Sequence, residues 1–472
     1  RPTGLGRRHP ATHGAITTSP ITKRSRQHHT HHHHENDQPM KGKAMQSRNT
    51  RRRLRITVTL AAATALAMSG CAPSGNLSSD ETDSSPGASD TFTVGLLAPM
   101  TGFVAAVGTD MQQGWDLYWE ENGTKAGDFT VKTVLEDTAS SADTGLSKAQ
   151  RLVTEEHVDA VVGPVLANVS LAVASYLAKA GVANLAQTAA DDLTQRSQNP
   201  LVLRTGAYAG SQTTYPGGQW AHDQGYKTAA TLCVDYAFGW ENCGGFASAF
   251  TDAGGTVTKQ FWYPADATDM STYVSQLKSS GADMAFVATA GGPDSSNFLR
   301  SASDFGLLKS MPILNNCCAT DQAILQDVGD IAVGVKSVHY YAEGTTLPQT
   351  QKFVKNFEAK YGVIPSSYAM GMYATADMLA KALTKAPKKI TGADLIEAIK
   401  GIDLSGSVYG NVKFDDYNNM VGPMVVRHVE KRADGKLWNV LDKTYDNVSQ
   451  FWTYDPAEFL KHPSYSQSFT GK

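Results

Sequence analysis

Two similar α/β lobes, each a doubly wound parallel sheet, are predicted for this chain by three observations. Short apolar, β-branched runs alternate with amphipathic stretches from residue 91 onward, and that rhythm is played through twice. Only 18% of the 472 residues are charged while 41% are hydrophobic, which is ample for a core. At about 150 residues per domain, this length suits two or three domains. The 42 glycines are not periodic, so collagen-like, coiled-coil and largely disordered chains are excluded.

The N-terminal region reads as an address. Arg51, Arg52, Arg53 and Arg55 precede an uncharged run over 56–70 that ends at Cys71. That run is shorter than the ~20 apolar residues a spanning helix needs, and its small-residue end suits a peptidase. The segment 45–70 resembles a lipoprotein signal, which implies lipidation of Cys71 and a membrane partner through that lipid; Met68 stands three residues before the cysteine, where Leu is usual. Residues 71–90, rich in Ser, Gly, Pro and Asp, read as a flexible tether. Residues 1–44 hold eight of the thirteen histidines and are expected to be a disordered or mis-assigned extension without functional weight.

The first series of elements comprises strands at 91–98, 129–136, 159–162, 182–185 and 201–204, with helices between them. Met111, Trp115, Tyr118 and Trp119 recur at helical spacing and are assigned to the core. A second series places strands at 228–234, 256–263, 284–288, 312–314 and 333–338, with helices near Ser211, Gly239, Met270, Asp294 and Asp321. Helices follow at 350–361, 366–384 and 391–400, the last with a capping pair at Thr391 and Asp394, and strands at 412–414, 425–429 and 437–441 close the chain. In open parallel sheets ligands bind beyond the carboxyl ends of strands, so two facing lobes place a ligand between them.

Although the whole chain carries a net charge of −3, residues 1–70 hold 13 Lys and Arg against 2 Asp and Glu, which leaves the body from Cys71 onward at −14. A surface of that sign repels phosphate backbones, and no basic stripe offsets it, so no nucleic-acid partner is expected. An enzyme is not expected either. GxxxxGK[ST], GxSxG and HExxH are absent, and no GxGxxG follows the first strand. His157, His222, His339, His428 and His462 have no metal-ligand spacing and are assigned to surface or core, with no metal and no cofactor. The pair Asp191 and Asp192 sits in a polar stretch and is expected to be two solvated carboxylates.

Four cysteines remain after Cys71: Cys233, Cys243, Cys317 and Cys318. In an exported protein they are expected to be oxidised, with three pairings possible. Cys233 ends a strand and Cys243 lies early in the next helix, so a local disulfide between them is favoured; Cys317 and Cys318 would then form a vicinal bridge or stay as free thiols.

The sequence resembles type I periplasmic solute-binding proteins of the leucine/isoleucine/valine-binding family. The resemblance rests on VGLLAPMTGFVAAVGTDMQQGWDLYWEENG (94–123), VVGPVLANVS (161–170), AADDLT (189–194), RTGAY (204–208), VDYAFG (234–239) and GNVKFDD (410–416), in family order. It implies lobe I over 91–206 plus 341–418, lobe II over 207–340 plus 419–472, and three hinge crossovers near 205–208, 338–341 and 417–421. It also implies capture of a small-molecule solute and delivery to the permease and ATPase subunits of an ABC importer. A ligand-sensing receptor or amide-binding regulator is the alternative on the same fold; the chain reaches Lys472 without a membrane helix or signalling domain, which favours transport. In that family a Ser, a Thr and a Glu hold a zwitterionic amino acid, and the matching positions here carry Ala167, Ala189 and Cys317. A one-residue slip would bring in Asn168 or Thr188. Around them the pattern puts Val107, Leu166, Tyr208, Phe238 and Cys318. Since a buried unpaired charge is costly, these residues imply an apolar, aromatic or branched acid rather than an aliphatic α-amino acid. Asn168, Thr188 and Tyr208 would then take its lone carboxylate.

Overall fold

In the computed structural model, residues 90–471 are described. The expected signal, the expected tether through residue 89 and Cys71, the expected lipidation site, lie outside them.

Six strands form the first sheet: β1 (Asp90–Ala98), β2 (Lys125–Ala126), β3 (Phe129–Asp137), β4 (Ala160–Val162), β5 (Ala183–Ala186) and β6 (Val202–Arg204). Their order is β2-β3-β1-β4-β5-β6, parallel except for the β2 edge, which pairs antiparallel with β3. β4 and β5 are wholly buried, as expected for short apolar runs covered by helices on both faces. Met111, Trp115, Tyr118 and Trp119 pack in this lobe's core, and the one polar atom of Trp115 is satisfied by donating from Nε1 to Thr133 Oγ1 at 2.8 Å.

The second sheet contains β7 (Thr228–Val234), β8 (Thr256–Tyr263), β9 (Met284–Ala288), β10 (Ile313–Asn315), β11 (Lys336–His339), β12 (Lys413–Phe414), β13 (Met420–Lys431) and β14 (Leu437–Val448). From β8 to β11 it is parallel; β13 then joins β11 antiparallel and carries β12 and β14, also antiparallel. The purely parallel expectation therefore gives way at the edges, where hairpin-linked strands pair without needing a crossover. The closing strands are also longer than the expected 425–429 and 437–441. At the lobe's centre Phe246 stacks on Phe286 with ring centroids 4.3 Å apart, beside the Cys233–Cys243 pair, which is bonded in the structure.

The chain passes between the sheets three times: after Arg204, after His339, and ahead of Met420. Between the second and third passages the helices Pro348–Tyr361, Ser367–Leu383 and Gly392–Lys400 return to the first lobe, where Phe353, Met370, Leu379 and Leu395 join its core. Thr391 caps the last of these by accepting from the Asp394 N–H at 3.2 Å.

Two of the passages are fastened by one side chain. Arg204 is fully buried and donates to the carbonyl oxygens of Thr188 and Ala190, to Thr194 Oγ1 at 3.0 Å and to Asn419 Oδ1 at 2.7 Å. Asn419 in turn donates from Nδ2 to Gln212 Oε1 at 2.9 Å, so the end of β6, the start of β13 and the helix Gly210–Asp223 share one network. Burial pulls the Arg204 guanidinium down to about 10, still charged at neutral pH.

This arrangement predicts that Arg204→Ala costs about 3–5 kcal/mol of unfolding free energy, because several acceptors lose a charged donor they cannot replace with water. Urea unfolding of the purified wild-type and variant proteins measures the difference.

Candidate functional site

Where the lobes face each other, a cleft of about 590 Å³, including its open mouth, is lined by residues from both. Its walls come from the segments that follow strand ends. Val165, Leu166 and Ala167 follow β4; Gln187 and Ala189 follow β5; Ala207, Tyr208 and Gly210 follow β6; Tyr236 and Phe238 follow β7. Thr213, Asn242, Ala290, Cys317, His339 with Tyr340, and Ser367 with Tyr368 complete it.

Close packing at two glycines sets this geometry. Gly163 has φ +88°, and a Cβ there would lie 2.3 Å from the Leu97 carbonyl oxygen, so only glycine turns the chain out of β4 into the wall. At Gly371 a Cβ would lie 2.0 Å from Gly206 O and 2.9 Å from Gln187 Nε2, so its absence lets the helix Ser367–Leu383 press onto the first crossing.

Several residues expected at the site are brought together here: Leu166, Ala167, Ala189, Tyr208, Phe238 and Cys317 all line the cleft. Others lie off it. Val107 is buried in the first lobe's core, Asn168 is exposed, and Thr188 is buried with its hydroxyl accepting from the Ala190 N–H at 3.4 Å. Cys318 sits just behind the wall, its Sγ 2.9 Å from that of Cys317 and 3.5 Å from the Tyr368 hydroxyl. The expectation for the acidic pair needs correction at Asp191. That residue is 2% exposed, accepts from the Ser211 N–H at 3.2 Å and is pushed up to about 6 by burial, because the 188–194 loop folds inward over Arg204. Asp192 does reach the surface, paired with Arg196 at 2.8 Å.

Sequence reasoning missed Gln187, Tyr236, His339, Tyr340 and Tyr368. The signal for His339 and Tyr340 was their place at the expected second crossover. Tyr208, Tyr340 and Tyr409 form an aromatic cluster with ring centroids 5.0–6.0 Å apart, and His339 lies 4.2 Å from Tyr340. His339 Nδ1 accepts from the backbone N–H groups of Tyr340 at 2.8 Å and Tyr341 at 3.0 Å, which places the proton of the neutral ring on Nε2. Burial, with the Arg427 guanidinium nearby, holds this imidazole well below its ordinary pKa. Gln187 donates from Nε2 to Tyr368 O at 2.9 Å, while its buried Oε1 has no partner among the described residues; the buried Tyr208 hydroxyl has none among them either.

None of the residues lining the cleft is Asp, Glu, Lys or Arg. Positive potential comes instead from the N-termini of two helices that open onto it, Ala167–Ala180 and Ala237–Asp252; those of Gly210–Asp223 and Ser367–Leu383 are already met by the carboxylates of Asp191 and Asp321. The N-cap residues of the first two, Leu166 and Tyr236, offer no side-chain acceptor to the free N–H groups. Such ends favour an anion without any basic side chain.

Comparison with known proteins agrees with this geometry. The Periplasmic binding protein family matches residues 91–436. The chain belongs to that family. Leu/Ile/Val-binding protein homolog 6 from Brucella abortus is 30% identical over 363 residues, covering 76% of this chain and 92% of the relative. A solute-binding protein of an ABC transporter from Rhodopseudomonas palustris BisB5, solved with 3,4-dihydroxybenzoic acid, is 29% identical with a TM-score of 0.72, covering 76% of this chain and 99% of that one. A second solute-binding protein from Rhodopseudomonas palustris, solved with 4-hydroxybenzoate, is 27% identical with the same TM-score of 0.72, covering 77% and 99%. This type I periplasmic binding protein thus shares the two-lobe fold of the branched-chain amino acid group, whose members bind solutes and are not enzymes.

Because His339 is neutral when folded and titrates near 6.5 when unfolded, the unfolded state binds the extra proton. The His339 contribution therefore destabilises the fold progressively as pH drops below about 6.5, by at most about 1.4 kcal/mol per pH unit. His339→Gln is expected to lose less stability between neutral and mildly acidic pH than wild type, as read from paired thermal melts.

Proposed function

We propose that this protein is the exported, lipid-anchored solute-binding component of an ABC importer, and that it captures a small aromatic or branched carboxylic acid between its lobes. One observation carries the ligand class: an aromatic-lined cleft onto which two uncapped helix N-termini open and among whose lining residues none is acidic. A zwitterionic amino acid would leave its ammonium without a carboxylate partner, at a cost that a lone carboxylate avoids. The aromatic acids in the two Rhodopseudomonas palustris proteins support the same class.

In this reading the carboxylate sits against helix N–H groups, the ring packs among Tyr208, Tyr236, Phe238 and Tyr340, and His339 donates from Nε2. Gln187 Oε1, a buried acceptor with no protein partner, takes a ring hydroxyl. Rotation of one lobe against the other about the three crossings would close over the solute, and the closed form would be what the permease and its ATPase engage.

Calorimetric titration of the purified body against leucine, valine, benzoate, 4-hydroxybenzoate and branched acids tests this. Binding of the aromatic or branched acids with leucine and valine silent is expected; tight leucine or valine binding with the acids silent refutes it. Gln187→Met should weaken a hydroxylated benzoate about tenfold and benzoate much less, since only the former loses a hydrogen bond. For the anchor, Cys71→Ala is expected to move the protein from the membrane fraction to the soluble exported fraction; equal membrane retention would sink that part of the proposal.

A further inference from the structure

Among the described residues the free cysteines are Cys317 and Cys318, and they sit at the cleft. Cys317 is half-buried on the wall, Cys318 is buried behind it, and neither is bonded in the structure. Their sulfurs lie 2.9 Å apart, closer than unbonded sulfurs rest and beyond the ~2.05 Å of a disulfide. The turn that carries them is held at both residues. Asn316 Oδ1 accepts from the Cys318 N–H at 3.3 Å, and Arg427 donates from Nη2 to the Cys317 carbonyl at 3.1 Å.

We propose that Cys317 and Cys318 are a redox pair that closes to a vicinal disulfide in the exported protein and that its state sets the affinity of the cleft. The surroundings favour a neutral bridge over a thiolate or a soft-metal site. The nearest partner is the Tyr368 hydroxyl, Arg427 spends its contact on a carbonyl rather than on sulfur, and Asp321 follows close in the chain. The hydrogen bond with Cys317 and then burial also push the Cys318 thiol up.

Closure needs an oxidant, and a disulfide-carrying thiol oxidant of the exported compartment supplies it. The accessible Cys317 attacks one sulfur of that disulfide as a thiolate, forming a mixed disulfide and releasing one oxidant thiol. Cys318 then displaces the second oxidant sulfur from Cys317. The pair gives up two electrons and two protons, and both are taken by the oxidant's sulfurs. Adjacent Cα atoms stand only ~3.8 Å apart, under the usual 4.4–6.8 Å for bridged cysteines, so this bond is more easily reduced than an unstrained one. Cys233 and Cys243, both fully buried, have no such exposure. Closure removes the Cys317 S–H from the wall and fixes its polarisable sulfur against a ligand ring, a change worth up to about tenfold in affinity.

The ligand consequence rests on the function proposed above, whereas the bridge does not, and the test separates them. Full-length protein exported by its host and purified without reductant is denatured, alkylated and digested. The peptide holding residues 317 and 318 is expected unalkylated and two hydrogens lighter than its reduced form. Recovery of that peptide alkylated at both cysteines overturns the proposal. Mild phosphine treatment should open this bridge before Cys233–Cys243, as read from the same peptide maps; reversed order overturns its lability. Affinity for whichever solute of the panel binds is then compared between oxidised, mildly reduced and Cys317→Ser/Cys318→Ser proteins. About tenfold weaker binding by the last two is expected, and equal binding overturns the affinity role. If wild type takes leucine and no aromatic acid, the ligand class fails while the peptide map still decides the bridge and the affinity ratio for leucine still decides the affinity role.

Discussion

A guanidinium removed from water needs acceptors for five N–H donors, and that demand organises this molecule at two points. Helix and sheet carbonyls are already occupied, so a buried arginine finds free ones only where the chain leaves regular structure. Arg204 takes the carbonyls of Thr188 and Ala190, past the end of β5, and Arg427 takes those of Tyr341 and Cys317, past the ends of β11 and β10. Arg427 also donates to Ser337 Oγ at 3.0 Å, and Ser337 lies 2.8 Å from Thr320 Oγ1. Each arginine thus pins a crossing between the lobes and, in the same act, a stretch of cleft wall. Ala189 is carried between the two carbonyls held by Arg204, and Tyr340 lies between β11 and the carbonyl held by Arg427.

The electrostatics of the cleft follow from where those charges are spent. Both cations face backbone oxygens behind the wall, so the wall itself is left with neutral groups and helix N-termini. The nearby acids do not reverse this. Burial pushes both Asp191 and Glu241 upward, and Glu241 Oε1 is already used as an acceptor by the Asp191 N–H at 2.9 Å. Phenols of Tyr208, Tyr236 and Tyr340 are pushed up by burial as well, which keeps them as neutral donors and ring surfaces. On the proposed function, a site built from oriented dipoles would hold one anion well and tolerate a second charge poorly.

The parallel strands were legible because a buried strand must be continuously apolar, as in the Ala160–Val162 and Met284–Ala288 runs. The edge hairpin was legible only in part. Gly422 and Pro423 read as a break although they lie inside β13, and the second half of β14 is polar and largely exposed, so it lacks the apolar signature. Among the expected site residues, Leu166, Ala167, Ala189, Tyr208, Phe238 and Cys317 fell on the cleft because each lies in a segment that follows a strand end, whereas Thr188 in the same segment as Ala189 turns its side chain inward. Gln187, Tyr236, His339 and Tyr368 were not recoverable from local pattern. Their meaning depends on segments such as 187 and 368 meeting through one hydrogen bond, far apart in sequence. Asp191 misled for the same reason, because a polar stretch reads as solvated until a buried arginine draws it inward.

Polar contacts between the lobes connect ligand size to closure. Asp321 of the second lobe accepts through Oδ2 from both the N–H and the hydroxyl of Ser367 in the first, at 3.2 and 2.7 Å, while its Oδ1 accepts from the Ala323 N–H at 3.0 Å. On the other side of the cleft the Gly210 N–H donates to Ala189 O at 2.7 Å, beside the Asp191 to Glu241 contact. These groups are buried, so a solute that wedges the lobes apart leaves unpaired donors and acceptors, each at about 1–3 kcal/mol. On the proposed function, a solute that leaves these contacts intact loses none of that. The polar contacts between the lobes would then discriminate by size alongside the residues that touch the ligand, and closure and selectivity would be one event.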